Sequence, residues 1–447
     1  MASTAEQLAA NLNFGALGKA TELKKRIWFT LGALIVYRIG TYIPLPGIDP
    51  SVIGDIFSRQ AGGILGMFNM FAGGALERMT IFALNIMPYI SASIIMQLMT
   101  AVVPTLEQLK KEGESGRKRI NQYTRYLTVL ITTVQAYALA IGLEGMQSSM
   151  GMAVHEPGLF FRFTTVITLV GGTMFLMWLG EQITARGVGN GISLIIFAGI
   201  VAGLPTGIAS TLELGRTGAL SAAFIVTLLV MAVAVIFFVV FMERAQRRIV
   251  VQYPKRQHGN RMSMGESTHL PLKLNTAGVI PPIFASSLLL MPITIMGFAS
   301  GQGPEWLTTA AAYLGHGQPL YLGIYVSLIV FFAFFYTAVV FNPADTADNL
   351  KKHGGFIPGI RPGRSTTEYL DKVLTRLTVI GAGYLAIVCL LPELLISRYA
   401  VPFYFGGTSL LIVVTVTMDT VAQIHSHLLA HQYEGLIKKS KLRGRRG

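Results

Sequence analysis

The sequence predicts an all-α polytopic membrane protein with ten transmembrane helices in two five-helix halves, and three observations predict it. Charged residues make up 13% of the 447 and apolar ones 52%, whereas a soluble domain carries about 25% charge, so this chain cannot coat a soluble globule of its size. The mean hydropathy is +0.55, and the apolar residues gather in runs near the ~20 residues that cross a bilayer. Lys and Arg then fall almost entirely in every second connection between those runs, as the orientation rule for membrane helices requires. A disulfide-stapled secreted domain is excluded, because Cys389 is the only cysteine and sits in an apolar run. No cleavable signal peptide is expected: the first residues are polar, and no small-residue cleavage site follows the first apolar run.

In chain order, the first span covers 24–42 and carries Arg38. The second, 76–103, contains Pro88, and the third, 122–142, follows a basic connection from Lys110 to Arg125. The fourth is 161–180 and the fifth 188–205, with Gly187-Val188-Gly189-Asn190-Gly191 at their junction. That stretch follows no strand, so it reads as a tight turn allowing close backbone approach and not as a phosphate cradle. The sixth span is 218–242. The seventh, 276–298, contains Pro281, Pro282 and Pro292, which are tolerated where neighbouring helices or a water-filled cavity satisfy the freed backbone groups. The eighth, ninth and tenth are 319–341, 375–393 and 403–423.

An even number of spans puts both termini on one side. Thirty of the 36 basic residues fall on that side, five on the other, and Arg38 lies within the first span. Both termini are therefore expected in the cytoplasm. Topology also explains most of the net charge of +14 and the pI near 9.8. It leaves unexplained the length of the two largest cytoplasmic loops, 243–275 and 342–374, which suit an anionic partner: ribosomal RNA, an acidic protein face or anionic lipids; a basic tail, 425–447, follows the last span. The chain divides into halves 1–210 and 211–447, and five spans per half make any structural repeat an inverted one.

Between the first two spans, residues 61–74 are apolar and too short to cross a bilayer, with Gly62-Gly63 and Gly73-Gly74 flanking them. Two readings stand: a re-entrant helix filling a cavity with glycine hinges, or an interfacial helix lying on the membrane. A search for chemistry finds no P-loop and no cysteine ligand set, and His427 with His431 fits a solvated helix face better than a metal clip. No cofactor is expected. Ionisable residues within spans are few, chiefly Arg38 and Asp419, which argues against a coupled ion path. Ile86 and Ile90, and likewise Ile192 and Ile196, stand four apart and share a helix face. Such pairs are either ordinary core or the collar of a pore that gates by dewetting.

The chain resembles the SecY family of protein-translocase channel subunits over nearly its whole length. The resemblance is carried by Pro44-Leu45-Pro46-Gly47-Ile48, Met67-Phe68-Asn69-Met70-Phe71 and Met87-Pro88-Tyr89-Ile90-Ser91-Ala92-Ser93, with Trp178-Leu179-Gly180-Glu181-Gln182 further on. The second half adds Ser267-Thr268-His269-Leu270-Pro271, Pro358-Gly359-Ile360-Arg361-Pro362-Gly363 and Pro402-Phe403-Tyr404-Phe405-Gly406-Gly407-Thr408-Ser409.

The resemblance implies a central hourglass pore that conducts unfolded polypeptides across the bacterial inner membrane. It would open sideways to lipid between the second and third spans and the seventh and eighth. By motif position, the pore ring would be Ile86, Ile90, Ile192, Ile196, Ile283 and Ile412. A short re-entrant plug helix would include Ile64, Leu65, Met67, Phe68, Asn69, Met70 and Phe71. Arg361 would serve engagement of the motor ATPase SecA, and Arg247, Arg248, Lys255 and Arg256 would contact that motor or the ribosome. SecE and SecG would be the small membrane subunits, and signal peptides and nascent chains the cargo. One departure from the family pattern is Pro282, which bears on the aim of Ile283. The protein would not be an enzyme. The competing class, a small-solute transporter with five-plus-five inverted repeats, would need polar ligands at the membrane midplane, and few are present.

Overall fold

The computed structural model describes residues 21–59, 69, 71–145, 147–148, 151–218, 221–253, 257–258, 261–262, 267–299, 313, 318–399 and 407–443. Thirteen helices and three two-stranded ribbons are found among them. Helix α1 (Thr21–Gly40) has Glu22 in its first turn and Arg38 in its last, each complementing the helix dipole. Helix α2 (Pro50–Arg59) is short, and Asp49 Oδ1 before it accepts from the Ser51 N–H at 2.9 Å. Helix α3 (Met87–Val102) starts with Pro88 in its first turn, where the missing N–H has no intrahelical acceptor anyway. It breaks at Val103, and α4 (Pro104–Lys111) leaves at 98°.

The long α5 (Glu114–Gly145), α6 (Leu159–Arg186), α7 (Gly191–Arg216) and α8 (Ala222–Arg244) come next. A small ribbon, β1 (Gln147–Ser148) and β2 (Gly151–Met152), joins α5 to α6. After α8 the chain makes the antiparallel ribbon of β3 (Gln246–Gln252) and β6 (Ser267–Lys273), with β4 (Gln257–His258) and β5 (Arg261–Met262) between them. Helices α9 (Ile280–Ala299), α10 (Pro319–Val340), α11 (Pro343–Lys352), α12 (Arg364–Tyr399) and α13 (Gly407–Arg443) complete the chain.

Each of the ten expected spans meets a helix. Among the described residues seven helices are long and apolar enough to cross a membrane, or eight if α3 and α4 are one broken span. Helix α1 falls short because Lys24, Lys25, Arg26 and Arg38 lie within its 20 residues. The second span differs most from expectation. Residues 76–86 are not helical but a chain of mostly buried turns, with Met79 and Asn85 at φ +45° and +49°. Two residues in the left-handed region cannot continue a right-handed helix, so α3 begins only at Met87.

One apolar cluster unites α1, segment 71–86, α3, α5, α6, α7, α9, α10, α12 and α13. Helix α9 packs on both α3 and α5, bringing the second half against the first. By contrast α8 turns Val226, Leu229, Val233, Phe237 and Phe241 outward, a side-chain set suited to hydrocarbon.

Candidate functional site

Ile86 is the N-cap residue of α3 and Ile90 sits one turn on, its N–H donating to the Ile86 carbonyl at 3.1 Å. Ile192 and Ile196 occupy the first two turns of α7. Asn190 caps that helix, its Oδ1 accepting from the N–H groups of Ile192 at 3.1 Å and Ser193 at 3.4 Å. Ile283 lies in the first turn of α9, where Pro281 and Pro282 cost no hydrogen bond, and its N–H donates to Val279 at 3.4 Å. The double proline therefore starts the helix instead of kinking it. Ile412 is in α13. Ile86, Ile90, Ile196 and Ile412 are fully buried, Ile192 and Ile283 partly so, and all six belong to or pack on the one central cluster.

The turn at 187–191 is as tight as its glycines suggest. Val188 N–H donates to Thr30 Oγ1 at 3.0 Å, Gly189 N–H to Gln423 Oε1 at 2.9 Å and Gly191 N–H to Thr184 Oγ1 at 2.9 Å. These bonds fasten the start of α7 to α1, α6 and α13. Any side chain at Gly191 would collide with the Gly180 carbonyl oxygen. Gly191→Ala is accordingly expected to destabilise the protein by about 1–3 kcal/mol, as overpacking a close backbone contact does, read as a lower unfolding temperature in detergent. An unaltered melt would show that α6 and α7 are not in backbone contact.

Of the residues assigned to the short apolar segment, Ile64, Leu65, Met67, Phe68 and Met70 lie outside the described residues, while Asn69 and Phe71 are within them. Phe71 is buried, and the turn it opens is tightly held. Three successive carbonyls each meet a side-chain donor. Asn85 Nδ2 donates to Phe71 at 2.6 Å, Tyr37 Oη to Ala72 at 3.5 Å, and Arg38 Nη1 to Gly73 at 2.6 Å. Asn69 is locked to Glu77 by two bonds, Nδ2 to Oε2 at 3.0 Å and the Glu77 N–H to Oδ1 at 2.9 Å.

The glycine pair expected to hinge this segment is thus a pinned turn. Gly73 and Gly74 adopt φ +65° and +81°, which explains glycine there without any need for motion. A methyl added at Gly73 would lie 3.0 Å from Gly199 Cα, and one at Gly199 would lie 2.7 Å from the Phe71 carbonyl oxygen. Tyr37 and Asn85 were invisible to sequence reasoning. Arg38 carried the one available signal, a charge inside a span.

Arg361 is exposed in a loop shaped by Gly359 and Gly363 at φ +84° and +110°, and its carbonyl accepts from Thr366 Oγ1 at 2.9 Å. Arg247 and Arg248 are exposed on β3, on opposite faces of the ribbon, while Lys255 and Arg256 lie outside the described residues. The two long basic loops form one body. Gln252 and Phe356 exchange both backbone hydrogen bonds at 2.9 Å. Beneath them Ile249, Leu272, Ile357, Leu370, Val373 and Leu377 make a second apolar cluster.

Ionisable groups offer little else in the spans. Asp419 is exposed on α13, and Glu243, at the end of α8, is buried with Oε1 accepting from Asn275 Nδ2 at 2.7 Å. Among the described residues no group of three or more His, Cys, Asp or Glu side chains is placed to hold a metal.

Comparison with known proteins points the same way. The SecY family model matches residues 80–421. A protein translocase subunit SecY from Escherichia coli K12 is 59% identical over 430 residues, covering 96% of this chain and 97% of the relative. The corresponding subunit from Rickettsia bellii is 54% identical over 433 residues, 97% of this chain and all of the relative. Among solved structures, one described as a protein-conducting channel superposes with a TM-score of 0.65 at 18% identity, covering 91% of this chain and 92% of that one. Sec61 from a canine ribosome–channel complex of the endoplasmic reticulum gives 0.62 at 18% identity, with the same coverage.

Proposed function

The chain belongs to the SecY family, and on that premise we propose that it is the protein-conducting subunit of a translocase in a bacterial inner membrane, with both termini in the cytoplasm. The observation that carries this is identity of 54–59% across almost the full length to relatives that are translocase subunits. A small-solute transporter has no comparable support.

Ile86, Ile90, Ile192, Ile196, Ile283 and Ile412 form the collar. A passing polypeptide presents every kind of side chain, so a site that bound any of them would stall transport. An isoleucine collar offers almost no polar contact, closes on whatever fills it and excludes ions by dewetting when empty. Residues 64–75 serve as the plug. An apolar segment leaves sideways where α3 and α5 face α9 and α10, driven by about 25 cal/mol per Å² of apolar surface removed from water. Among the described residues α9 packs on α3 and α5, and Ser287 Oγ donates to Met87 Sδ at 3.6 Å in a buried contact across this seam. The basic body carrying Arg247, Arg248 and Arg361 receives the motor ATPase SecA or the ribosome, which supply the energy. SecE and SecG complete the complex in the membrane.

The test is a photoreactive residue at Ile90 or Ile412, probed with a stalled, half-translocated polypeptide in membranes. Crosslinks at both positions are expected. A confirmed stall without either crosslink would place the path elsewhere and return the small-solute transporter to consideration.

A further inference from the structure

Asn85 stands immediately before Ile86, and its side chain reaches the root of the plug, where Nδ2 donates to the Phe71 carbonyl at 2.6 Å in a buried site. Its backbone lies at φ +49°, in the left-handed region that glycine adopts at least cost. Its amide oxygen, Oδ1, is buried with no hydrogen-bond partner among the described residues, an unfavourable arrangement in a dry interior. Glycine would suit the backbone better and would leave no orphaned acceptor. What the asparagine side chain gains at this place is the bond to Phe71.

We propose that Asn85 is a positioning residue that ties the plug root to the collar, so that displacement of Ile86 by an entering polypeptide breaks the Asn85–Phe71 bond and frees the root. This rests on the collar and plug reading above. The other fastenings differ in where they are anchored. Tyr37 and Arg38 belong to α1, and Glu77 holds Asn69 within the turn itself; none adjoins a collar residue. Asn85 does, and a trans peptide holds its Cα about 3.8 Å from that of Ile86 whatever either does. The Phe71 carbonyl also faces Gly199, three residues beyond Ile196 on α7. It therefore lies between the two helices that carry four of the six collar isoleucines, where a widening collar pulls its contacts apart.

The test is hydrogen exchange of the full-length channel in membranes, wild type and Asn85→Gly, at rest and with a stalled polypeptide in the pore. Glycine accepts φ +49° freely, so the substitution removes the amide without straining the backbone. At rest, the amides of residues 71–76 are expected to exchange about tenfold faster in the variant, the loss of one buried hydrogen bond, with α3 beyond its first turn unchanged. A stalled chain should raise exchange in the wild type to the same level and add nothing further in the variant. That non-additivity is what a purely structural role would not produce.

Asn85→Asp keeps the shape but turns an acceptor towards the carbonyl, and should loosen the root more than glycine does. Unchanged resting exchange in Asn85→Gly, or a full additional rise on stalling, overturns the proposal. The plug reading has its own readout, the resting ion current. A loosened root with no increase in current would reject residues 64–75 as the seal while leaving the Asn85 bond established.

Discussion

A channel carrying asparagine at both Ile90 and Ile196 is expected to leak ions at rest at least about tenfold more than the wild type. The magnitude follows from the apolar surface involved. Fully burying an isoleucine is worth roughly 1.5–3 kcal/mol, and every 1.4 kcal/mol taken from the dewetting barrier is about a factor of ten in the open, wetted population. Ile90 and Ile196 are 5% and 3% exposed and come from different helices, so the pair samples two of the helices proposed to form the collar. The same change should relax substrate selection, because weak signals then face a looser seal. Two buried amides also cost stability, about 1–3 kcal/mol each if unpartnered, so the control is the Ile90→Val, Ile196→Val pair. Valine loses some packing, about 0.5–1.5 kcal/mol per site, but keeps the collar dry and should not leak. An asparagine pair that assembles normally and leaks no more than wild type would count decisively against the collar.

Reversing the charge at Arg361 should have the second large effect. Arg361→Glu is expected to lower motor-driven transport by more than about tenfold, as loss of one member of a docked charge pair costs roughly 2–5 kcal/mol. The side chain is exposed and its loop is shaped by Gly359 and Gly363 together with the Thr366 bond to its backbone. The variant should therefore fold, melt and seal like the wild type. Transport measured in vesicles with purified motor separates this from a folding defect. Retained motor-driven transport in Arg361→Glu would remove it from the docking face.

Hydropathy located the helices well where lipid sets the rule. The span expected at 218–242 is α8, Ala222–Arg244, and that at 319–341 is α10, Pro319–Val340. It failed where protein, not lipid, surrounds the chain. Residues 76–86 are apolar enough to read as helix, yet they are mostly buried turns whose course depends on Met79 and Asn85 at positive φ; asparagine tolerates that region better than most residues, methionine does not, and a hydropathy average registers neither. It also stopped short at α12, expected from 375 but starting at Arg364. There Leu370, Val373 and Leu377 bury against the ribbon and not in hydrocarbon, so the stripe is too narrow for a hydropathy average to register. The isoleucines proposed as the collar were picked out by spacing and motif. The bonds that hold the segment behind them were not, because a hydrogen bond between Asn85 and a carbonyl fourteen residues earlier leaves no periodic trace.

The joining of the two basic loops bears on how force enters the membrane. A partner gripping Arg361 does not tug on a slack tether. It holds a stiff handle, braced by the Gln252–Phe356 pairing and by the side chains of α12 packed beneath. From Arg364 to Pro392 that helix runs for 29 residues, roughly 44 Å at 1.5 Å per residue, longer than the hydrocarbon layer is thick. Load applied at the handle is therefore delivered as tilt along a rod reaching the far leaflet.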